Sequence, residues 1–136
     1  MTRPTVAIVA ALIRDAEGRV LLVRKTGTRA FMQPGGKREA GEDDLAALER
    51  ELTEELGCRL IVGSASSIGY FRAVAANEPD RDVAAAVYAV AVEGTARPLA
   101  EIAEILWVDP YHLPDIELAP LTRDHVLPLS RVEAPQ

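Results

Sequence analysis

Apolar residues recur along this 136-residue chain in short runs separated by polar, glycine-rich and proline-rich stretches. A run rich in β-branched residues over positions 6–13 predicts a buried strand, and positions 20–23 predict a second. The turn signal Asp15-Ala16-Glu17-Gly18 between them favours a hairpin. Similar apolar runs predict three further strands, over positions 60–71, 83–92 and 105–109.

One segment has the periodicity of a helix instead. Asp43 or Asp44 can cap a helix that runs to about Leu56, where Gly57 ends it. Four leucines of this helix fall within an arc of roughly 80° and predict an apolar stripe that faces the core. They are Leu45, Leu48, Leu52 and Leu56.

Proline marks two other segments. Gln33-Pro34-Gly35-Gly36 is expected to interrupt any regular element. A short helix is expected to begin near Pro120 and Thr122 and to end before Pro128. Strands on both sides of one strong helix predict an α/β (α+β) fold, with a mixed sheet covered by helices, in a single domain over residues 1–136.

Composition and charge restrict the classes of partner. Apolar residues make up 49% of the chain and charged residues 26%, as in ordinary globular proteins. A net charge of −6 argues against binding a nucleic-acid polymer, which needs a clustered basic face. The apolar runs are too short to cross a membrane, and no signal peptide is expected. The single Cys58 fits a reducing cytoplasm, where we expect the protein to reside.

Acidic residues concentrate around the predicted helix. Within it, Glu51, Glu54 and Glu55 are three and four residues apart and share one face. An isolated pattern of this kind is more often a solvated acidic surface. The alternative is a divalent-cation site, in which carboxylate oxygens and a phosphate-bearing ligand surround the ion. Between positions 39 and 55 the carboxylates are Glu39, Glu42, Asp43, Asp44, Glu49, Glu51, Glu54 and Glu55.

Two neighbouring features favour the cation site. Pro34-Gly35-Gly36 has little side-chain bulk, so its backbone can approach a metal or phosphate closely. Glu42 precedes the helix and Arg50 lies within it. A fork, that is, two parallel hydrogen bonds from the Arg50 guanidinium to the Glu42 carboxylate, would fix the loop against the helix.

Together these residues form a pattern that closely resembles the signature of the Nudix hydrolases, in particular the MutT-like members. The seven fixed positions would match by chance about once in 10⁸ positions. Only Cys58 departs from the signature, replacing an aliphatic residue with a small thiol that can fill the same space. The fixed positions are matched by Gly36, Glu42, Arg50, Glu51, Glu54, Glu55 and Gly57, and Leu52 fills an aliphatic position of the signature.

The resemblance implies a Nudix-type α/β/α sandwich with a catalytic loop-helix-loop, and Mg²⁺ as cofactor with Mn²⁺ as substitute. Glu51 and Glu55 correspond to metal ligands, Glu54 to a third ligand or a water-orienting group, and the Gly36 carbonyl to a further ligand. Glu51 and Glu54 also count as catalytic candidates. The remaining implied roles are structural support of the site from Glu42 and Arg50, and a general base from Glu101 or Glu104.

The resemblance also implies a small nucleotide substrate whose diphosphate linkage is hydrolysed by attack of water at phosphorus. Arg29, Gln33 and Lys37 are the candidate substrate-binding residues, with Lys25 and Arg38 as further cations. Sequence markers of coenzyme A-cleaving and ADP-ribose-cleaving relatives are not found, which favours a (d)NTP pyrophosphohydrolase.

Three alternatives stay open for the function. They are an ADP-ribose or nucleotide-sugar pyrophosphatase, a nucleotide-sensing binding module without turnover, and an isomerase of prenyl diphosphates on the same fold. The binding module is disfavoured because such proteins usually lose the carboxylates of the Nudix signature, which are present here. The isomerase is disfavoured because it generally needs a longer chain. A homodimer is also compatible with the resemblance.

Overall fold

The computed structural model describes residues 4–78 and 80–131; the two ends of the predicted domain, 1–3 and 132–136, lie outside them. The strands are β1 (Thr5–Ile13), β2 (Val20–Lys25), β3 (Gly35–Gly36), β4 (Arg59–Leu60), β5 (Ser66–Val74), β6 (Asp82–Val90), β7 (Val92–Glu93) and β8 (Ile102–Val108). The helices are α1 (Asp44–Leu56), a π-helical turn (Thr122–Val126) and α2 (Leu127–Ser130).

A mixed sheet organises the fold. Its four strands have the order β3-β1-β6-β5, with β1 parallel to β6 and the other neighbours antiparallel. β2 pairs with β8 and β4 pairs with β7, both antiparallel. The predicted α+β fold with a mixed sheet is therefore confirmed.

Helical segments cover both faces of this sheet. Because successive side chains of a strand point to opposite faces, β1 contributes to two core clusters. The cluster on the α1 side includes Val9, Ala11, Ile13, Leu48, Leu52, Leu56 and the fully buried Cys58. The cluster on the other side includes Ala10, Leu12, Leu121, Val126 and Leu127. The layers therefore follow the order helix, sheet, helix.

The predicted hairpin between β1 and β2 is wrong beyond its turn. The Asp15 carboxylate accepts the backbone N–H of Arg19 at 2.8 Å and so closes the turn. In the described residues, pairing between the two strands is limited to a bridge between Arg14 and Val20. β2 then pairs with β8. Residues 9–13 of β1 and 20–23 of β2 are all buried, so their apolar pattern does not identify the pairing partner.

Two predicted strands each divide in two. The segment 60–71 contains β4 and β5, and the segment 83–92 contains β6 and β7. A turn over positions 61–65 separates β4 from β5, and Ala91 alone separates β6 from β7. The Ser64 hydroxyl of that turn accepts the backbone N–H of Ala91 at 3.1 Å. The turn is not evident from the sequence pattern because it carries an apolar residue, Val62, that is exposed to solvent.

Two further boundaries differ from the prediction. β8 begins at Ile102 rather than at position 105, because its ladder with β2 continues to Lys25 across a bulge. The glycines of the Gln33–Gly36 segment do not interrupt the sheet. Gly35 and Gly36 pair with β1 and thereby fix the loop to the central strand.

Helix α1 has the predicted limits. Asp43 caps its N-terminus and accepts the backbone N–H of Ala46 at 2.8 Å. Gly57 ends it in the left-handed conformation, with a φ of 70°. The predicted apolar stripe is wrong at Leu45, which is exposed although it lies on the angular face of the other leucines. It occupies the first turn of the helix, where the described residues leave it 41% exposed.

The C-terminal helix begins as predicted near Thr122 but does not end before Pro128. It continues through α2 to Ser130. Pro128 is tolerated because it lies in the first turn of α2, where a backbone N–H has no helical partner. Within residues 4–78 and 80–131, no helix has the length and hydropathy needed to cross a bilayer.

Candidate active site

The three clustered glutamates of α1 occupy different environments. Glu55 is 3% exposed, the Glu51 side chain is 14% exposed, and the Glu54 side chain is 54% exposed. Burial raises the pKa of Glu51. Burial also raises the pKa of Glu55, to about 7, and the neighbouring charge of Glu51 acts in the same direction. Two carboxylates are therefore held in positions that disfavour their charge.

Two glycines allow the loop to approach these carboxylates. The backbone N–H of Gly35 donates to Glu55 Oε1 at 3.2 Å. A β-carbon on Gly36 would lie 1.8 Å from Glu51 Oε2, and one on Gly35 would lie 2.1 Å from the carbonyl oxygen of Val9. Gly35 also has a φ of 149°, which side chains disfavour. The approach of loop, strand and helix thus depends on both glycines.

Arg50 and Glu42 hold the loop after β3 against α1. Arg50 Nε donates to Glu42 Oε2 at 2.7 Å and Arg50 Nη2 donates to Oε1 at 2.9 Å. Arg50 Nη2 also donates to the carbonyl of Lys37 at 2.9 Å. The Arg50 hydrogen bonds lower the pKa of Glu42 to about 2, with help from the backbone N–H of Glu39. Reciprocally, Glu42 raises the pKa of Arg50.

Arg50 also partly balances the glutamates on its own helix. Its Nη1 lies 3.7 Å from Glu51 Oε2 and 3.6 Å from Glu54 Oε2. Glu54 therefore faces a cation as well as solvent, whereas the described residues give Glu55 no ion pair within 4.0 Å. The glutamate that is most deeply buried is the one least neutralised by protein groups.

A cavity of about 550 Å³ opens beside this cluster. Its walls come from β1, the Gly35–Gly36 loop, α1, the segment that follows β5 and the start of the C-terminal helical segment. Most of the predicted substrate contacts and one predicted general base lie on it. The charged or polar lining residues are Lys25, Gln33, Lys37, Arg38, Glu39, Arg50, Glu51, Asn77, Glu78, Glu101 and Thr122.

The two candidate general bases are separated in space. Glu101 lines the cavity and its Oε1 lies 3.5 Å from Lys25 Nζ. Glu104 is not among the lining residues, and its Oε1 lies 3.1 Å from Arg24 Nη2 on the β2–β8 ladder. Glu104 belongs to β8, whereas Glu101 immediately precedes that strand.

Some of the other predicted residues also lie outside the cavity wall. Arg29 is 90% exposed, 3.9 Å from Glu117, and borders a separate depression of about 270 Å³. Glu54 and Glu55 are not among the lining residues of the larger cavity, although Glu55 contacts the loop that forms it. The structure therefore brings Gln33, Lys37, Glu51 and Glu101 to one cavity.

Sequence reasoning did not find Thr122. Its hydroxyl donates to Gln33 Oε1 at 2.7 Å, across 89 positions of sequence. It also missed Tyr88, whose hydroxyl donates to Asp44 Oδ2 at 2.5 Å. Asp44 in turn accepts from Arg38 of the cavity wall at 2.5 Å. The residue types carried no signal, because a lone Thr or Tyr is common in any core.

The donor set fits a hard divalent cation such as Mg²⁺. In the described parts of the chain, no three Asp, Glu, His or Cys side chains already converge on one point. Glu51 and Glu55 nevertheless offer carboxylate oxygens, the ligands such ions prefer. The space left by the missing side chain of Gly36 lies directly against the Glu51 carboxylate. A cation there would offset the charge that burial disfavours on both glutamates.

Comparison with known proteins identifies a family and two relatives that this chain resembles. The family described as "NUDIX domain" matches residues 3–129. An RNA pyrophosphohydrolase of Halorhodospira halophila is 47% identical over 55 residues, which are 40% of this chain and 29% of the relative. An 8-oxo-dGTP diphosphatase of Haemophilus influenzae is 38% identical over 61 residues, 42% of this chain and 45% of the relative. These matches thus span less than half of either relative.

Solved structures match this chain over a greater part of its length than these two relatives do. The crystal structure of a MutT NUDIX hydrolase from Burkholderia pseudomallei superposes with a TM-score of 0.72. The match covers 93% of this chain and 95% of that one, at 23% sequence identity. Similarity at this level of identity establishes a shared fold.

Proposed function

This chain belongs to the NUDIX domain family, and from that premise we propose that it hydrolyses the diphosphate linkage of a nucleoside diphosphate compound, with a (d)NTP as the preferred substrate. One observation carries the proposal. The Glu51 carboxylate and three cations, Lys25, Lys37 and Arg38, line the same cavity. Carboxylates that can hold a metal beside cations that can hold phosphate are the components that phosphoryl transfer requires.

Mg²⁺, with Mn²⁺ as substitute, is the proposed cofactor. Glu51 and Glu55 would hold it, with Glu54 and the Gly36 carbonyl as further ligands. When bound, such an ion neutralises phosphate charge and lowers the pKa of a coordinated water. The Gly35 N–H bond to Glu55 and the fork between Arg50 and Glu42 keep loop and helix in register for this role.

The phosphates are proposed to bind at the cationic part of the wall. Lys37 and Arg38 follow the Gly35–Gly36 loop directly, and Lys25 approaches from the end of β2. Opposite charges in a cleft attract and orient an anionic substrate. Arg29 remains a predicted contact, although its exposed position outside this cavity makes it a weaker candidate than Lys37.

A carboxylate must accept the proton of the attacking water. Glu101 is the proposed base because it lines the cavity, whereas Glu104 is held by Arg24 on the strand ladder. As water oxygen bonds to phosphorus, its proton passes to Glu101 and the anhydride P–O bond breaks, with the electron pair leaving on the phosphate oxygen. Glu54 is the alternative water-orienting group.

The test is a phosphate-release screen with added pyrophosphatase, Mg²⁺ or Mn²⁺, and four substrate classes. These are (d)NTPs, ADP-ribose, nucleotide sugars and dinucleoside polyphosphates. We expect metal-dependent release, strongest from (d)NTPs, that is lost in Glu51→Gln. The matched control is Glu49→Gln, which makes the same chemical change at an exposed position of the same helix and should leave release unchanged.

A lack of phosphate release would contradict the hydrolase proposal. Folded protein that binds metal but releases nothing from any of the four classes would exclude the hydrolase. The remaining hypothesis would then be a nucleotide-sensing module that uses the same cavity without turnover.

A further inference from the structure

One buried polar group in the cavity wall has no partner within the protein. Gln33 is 6% exposed and its Oε1 accepts the hydroxyl of Thr122, which is fully buried. Its Nε2 is buried and, among the described residues, makes no hydrogen bond. Buried polar side chains are nearly always satisfied, so such an atom calls for an explanation. In a cavity wall, a bound ligand can supply the missing acceptor.

The hydrogen bond to Thr122 leaves the nitrogen end of the Gln33 amide for a ligand. Because the Thr122 hydroxyl occupies Oε1, the amide nitrogen with its two hydrogens is the free end. The terminal torsion of a glutamine side chain is soft. The amide can therefore turn toward a ligand while its oxygen stays within reach of Thr122. The group offered to the cavity is a neutral hydrogen-bond donor.

The surroundings of Gln33 differ from the charged part of the wall. The same cavity wall has an apolar part from β1 and from the residues just before the C-terminal helical segment: Ile8, Ala10, Ala119 and Leu121. An apolar surface with one oriented donor suits a flat heterocycle better than a phosphate. The cationic lining residues, by contrast, suit the phosphates of the same substrate.

We infer that Gln33 is a specificity-determining residue that reads the nucleobase, its Nε2 donating to a ring carbonyl oxygen while Thr122 holds its Oε1. This inference rests on the proposed binding of a nucleotide in the cavity. The bases recognised are those with an oxygen at purine C6 or pyrimidine C4, namely guanine, thymine and uracil. Adenine and cytosine carry an amino donor there and would place two donors face to face.

The experiment compares substrates that differ in that group. The ratio of kcat/KM is measured for dGTP over dATP and for dTTP over dCTP, with saturating Mg²⁺. The wild-type chain is expected to prefer the oxo base by at least about tenfold, because a site built to hydrogen-bond one group rejects an analogue lacking it. Gln33→Met, which keeps the length but removes the donor, should bring both ratios close to one.

Thr122 provides a second and independent variant. Thr122→Val removes the hydroxyl and keeps the shape, so the amide loses its fixed orientation and the base preference should fall. Thr122→Ser retains the hydroxyl and should retain the preference. Ser130→Ala is the matched control, since it removes a buried hydroxyl hydrogen bond of the same helical segment away from the cavity. It should lower the melting temperature without changing either ratio.

A binding measurement separates this inference from the hydrolase proposal. Calorimetry with GMP and AMP, without metal, reports base selectivity in the absence of turnover. Selective binding that Gln33→Met abolishes, in protein that releases no phosphate, would support the reading of the base and overturn the hydrolase. Phosphate release without base preference, an amino-base preference, or a preference retained in folded Gln33→Met would overturn the inference and leave the hydrolase standing.

Discussion

Two parts of the cavity differ in how they are built. The acidic region comprises Gly35, Gly36 and Glu51 of the wall, together with Glu55, which contacts Gly35 from outside the wall. Charge is concentrated there and burial opposes it. The amide region comprises Gln33 and Thr122, which are neutral, buried and linked by one hydrogen bond. The acidic region can hold an ion and the phosphates near it, whereas the amide region can only recognise shape and hydrogen-bonding pattern.

This difference implies a division of labour within a single cavity. Rate should depend on the acidic region, and choice of base on the amide region. The two can then be altered separately, because different atoms of the substrate contact them.

The largest effect is expected for Glu55→Gln. The change should lower kcat by at least about 100-fold, since one oxygen of a metal ligand becomes an amide nitrogen. The fold should persist, because the variant removes a buried charge that Glu51 repels. Rates measured with Mg²⁺, alongside a thermal melt, check both points. Near-wild-type turnover would show that Glu55 is not a metal ligand.

A somewhat smaller loss is expected for Gly36→Ala. The new β-carbon would lie 1.8 Å from Glu51 Oε2, so the carboxylate must move. Displacement of a reacting group by about 1 Å lowers rates roughly 10- to 100-fold. The weaker Mg²⁺ affinity should be visible by calorimetry, while the base preference set by the amide region should not change.

Gly18→Ala is the control for that substitution. Gly18 has a φ of 80° and open space around its β-carbon position, so alanine there adds backbone strain without touching the cavity. It should lower the melting temperature and leave metal affinity intact. Equal losses of metal affinity in both variants would remove the special role of Gly36.

The two regions also differ in how far the sequence predicts them. The acidic region can be found in the sequence because its residues lie close together, between Gly35 and Glu55, within the pattern that resembles the Nudix signature. The cap at Asp43 and the stop at Gly57 fix the helix, so residue spacing translates directly into position. The amide region requires Gln33 and Thr122 to meet across 89 positions, which depends on how the C-terminal helical segment packs.

The other errors of prediction have related causes. Alternation of apolar and polar residues does not register the bulge between Arg24 and Lys25, across which the ladder of β2 and β8 continues to Ile102. The exposed Val62 makes a turn resemble part of a strand in the sequence pattern. The exposure of Leu45 depends on the contacts of the first turn of α1. Each outcome depends on tertiary contacts that local periodicity does not contain.

A moderate effect is expected when the support of the acidic region is removed. Glu42→Gln weakens the fork to Arg50 and should lower the melting temperature by about 3–6 °C, with a severalfold loss of rate. Because the pKa of Glu42 falls from 4.5 to about 2 on folding, its contribution to stability is complete above pH 4.5. It is lost as the pH falls toward 2.

Melts between pH 6 and pH 2 test this sign. The wild-type chain should lose more stability over that range than Glu42→Gln, so that the two melting curves converge in acid. Glu104→Gln is a suitable control, because its exposed pair with Arg24 should contribute little. A rate loss with an unchanged melting temperature would argue against the supporting role of Glu42.

The smallest effect is expected from salt, and it distinguishes the two regions without any mutation. Attraction between the substrate phosphates and Lys25, Lys37 and Arg38 is electrostatic and is screened by ions. Raising the ionic strength from about 0.05 to about 0.5 M at saturating Mg²⁺ should increase KM roughly two- to fivefold. A hydrogen bond from the neutral Gln33 amide is not screened in this way, so the dGTP-to-dATP ratio should stay constant. If that ratio fell in parallel with the rise in KM, base selection would depend on the charged wall, and the two regions would not act separately.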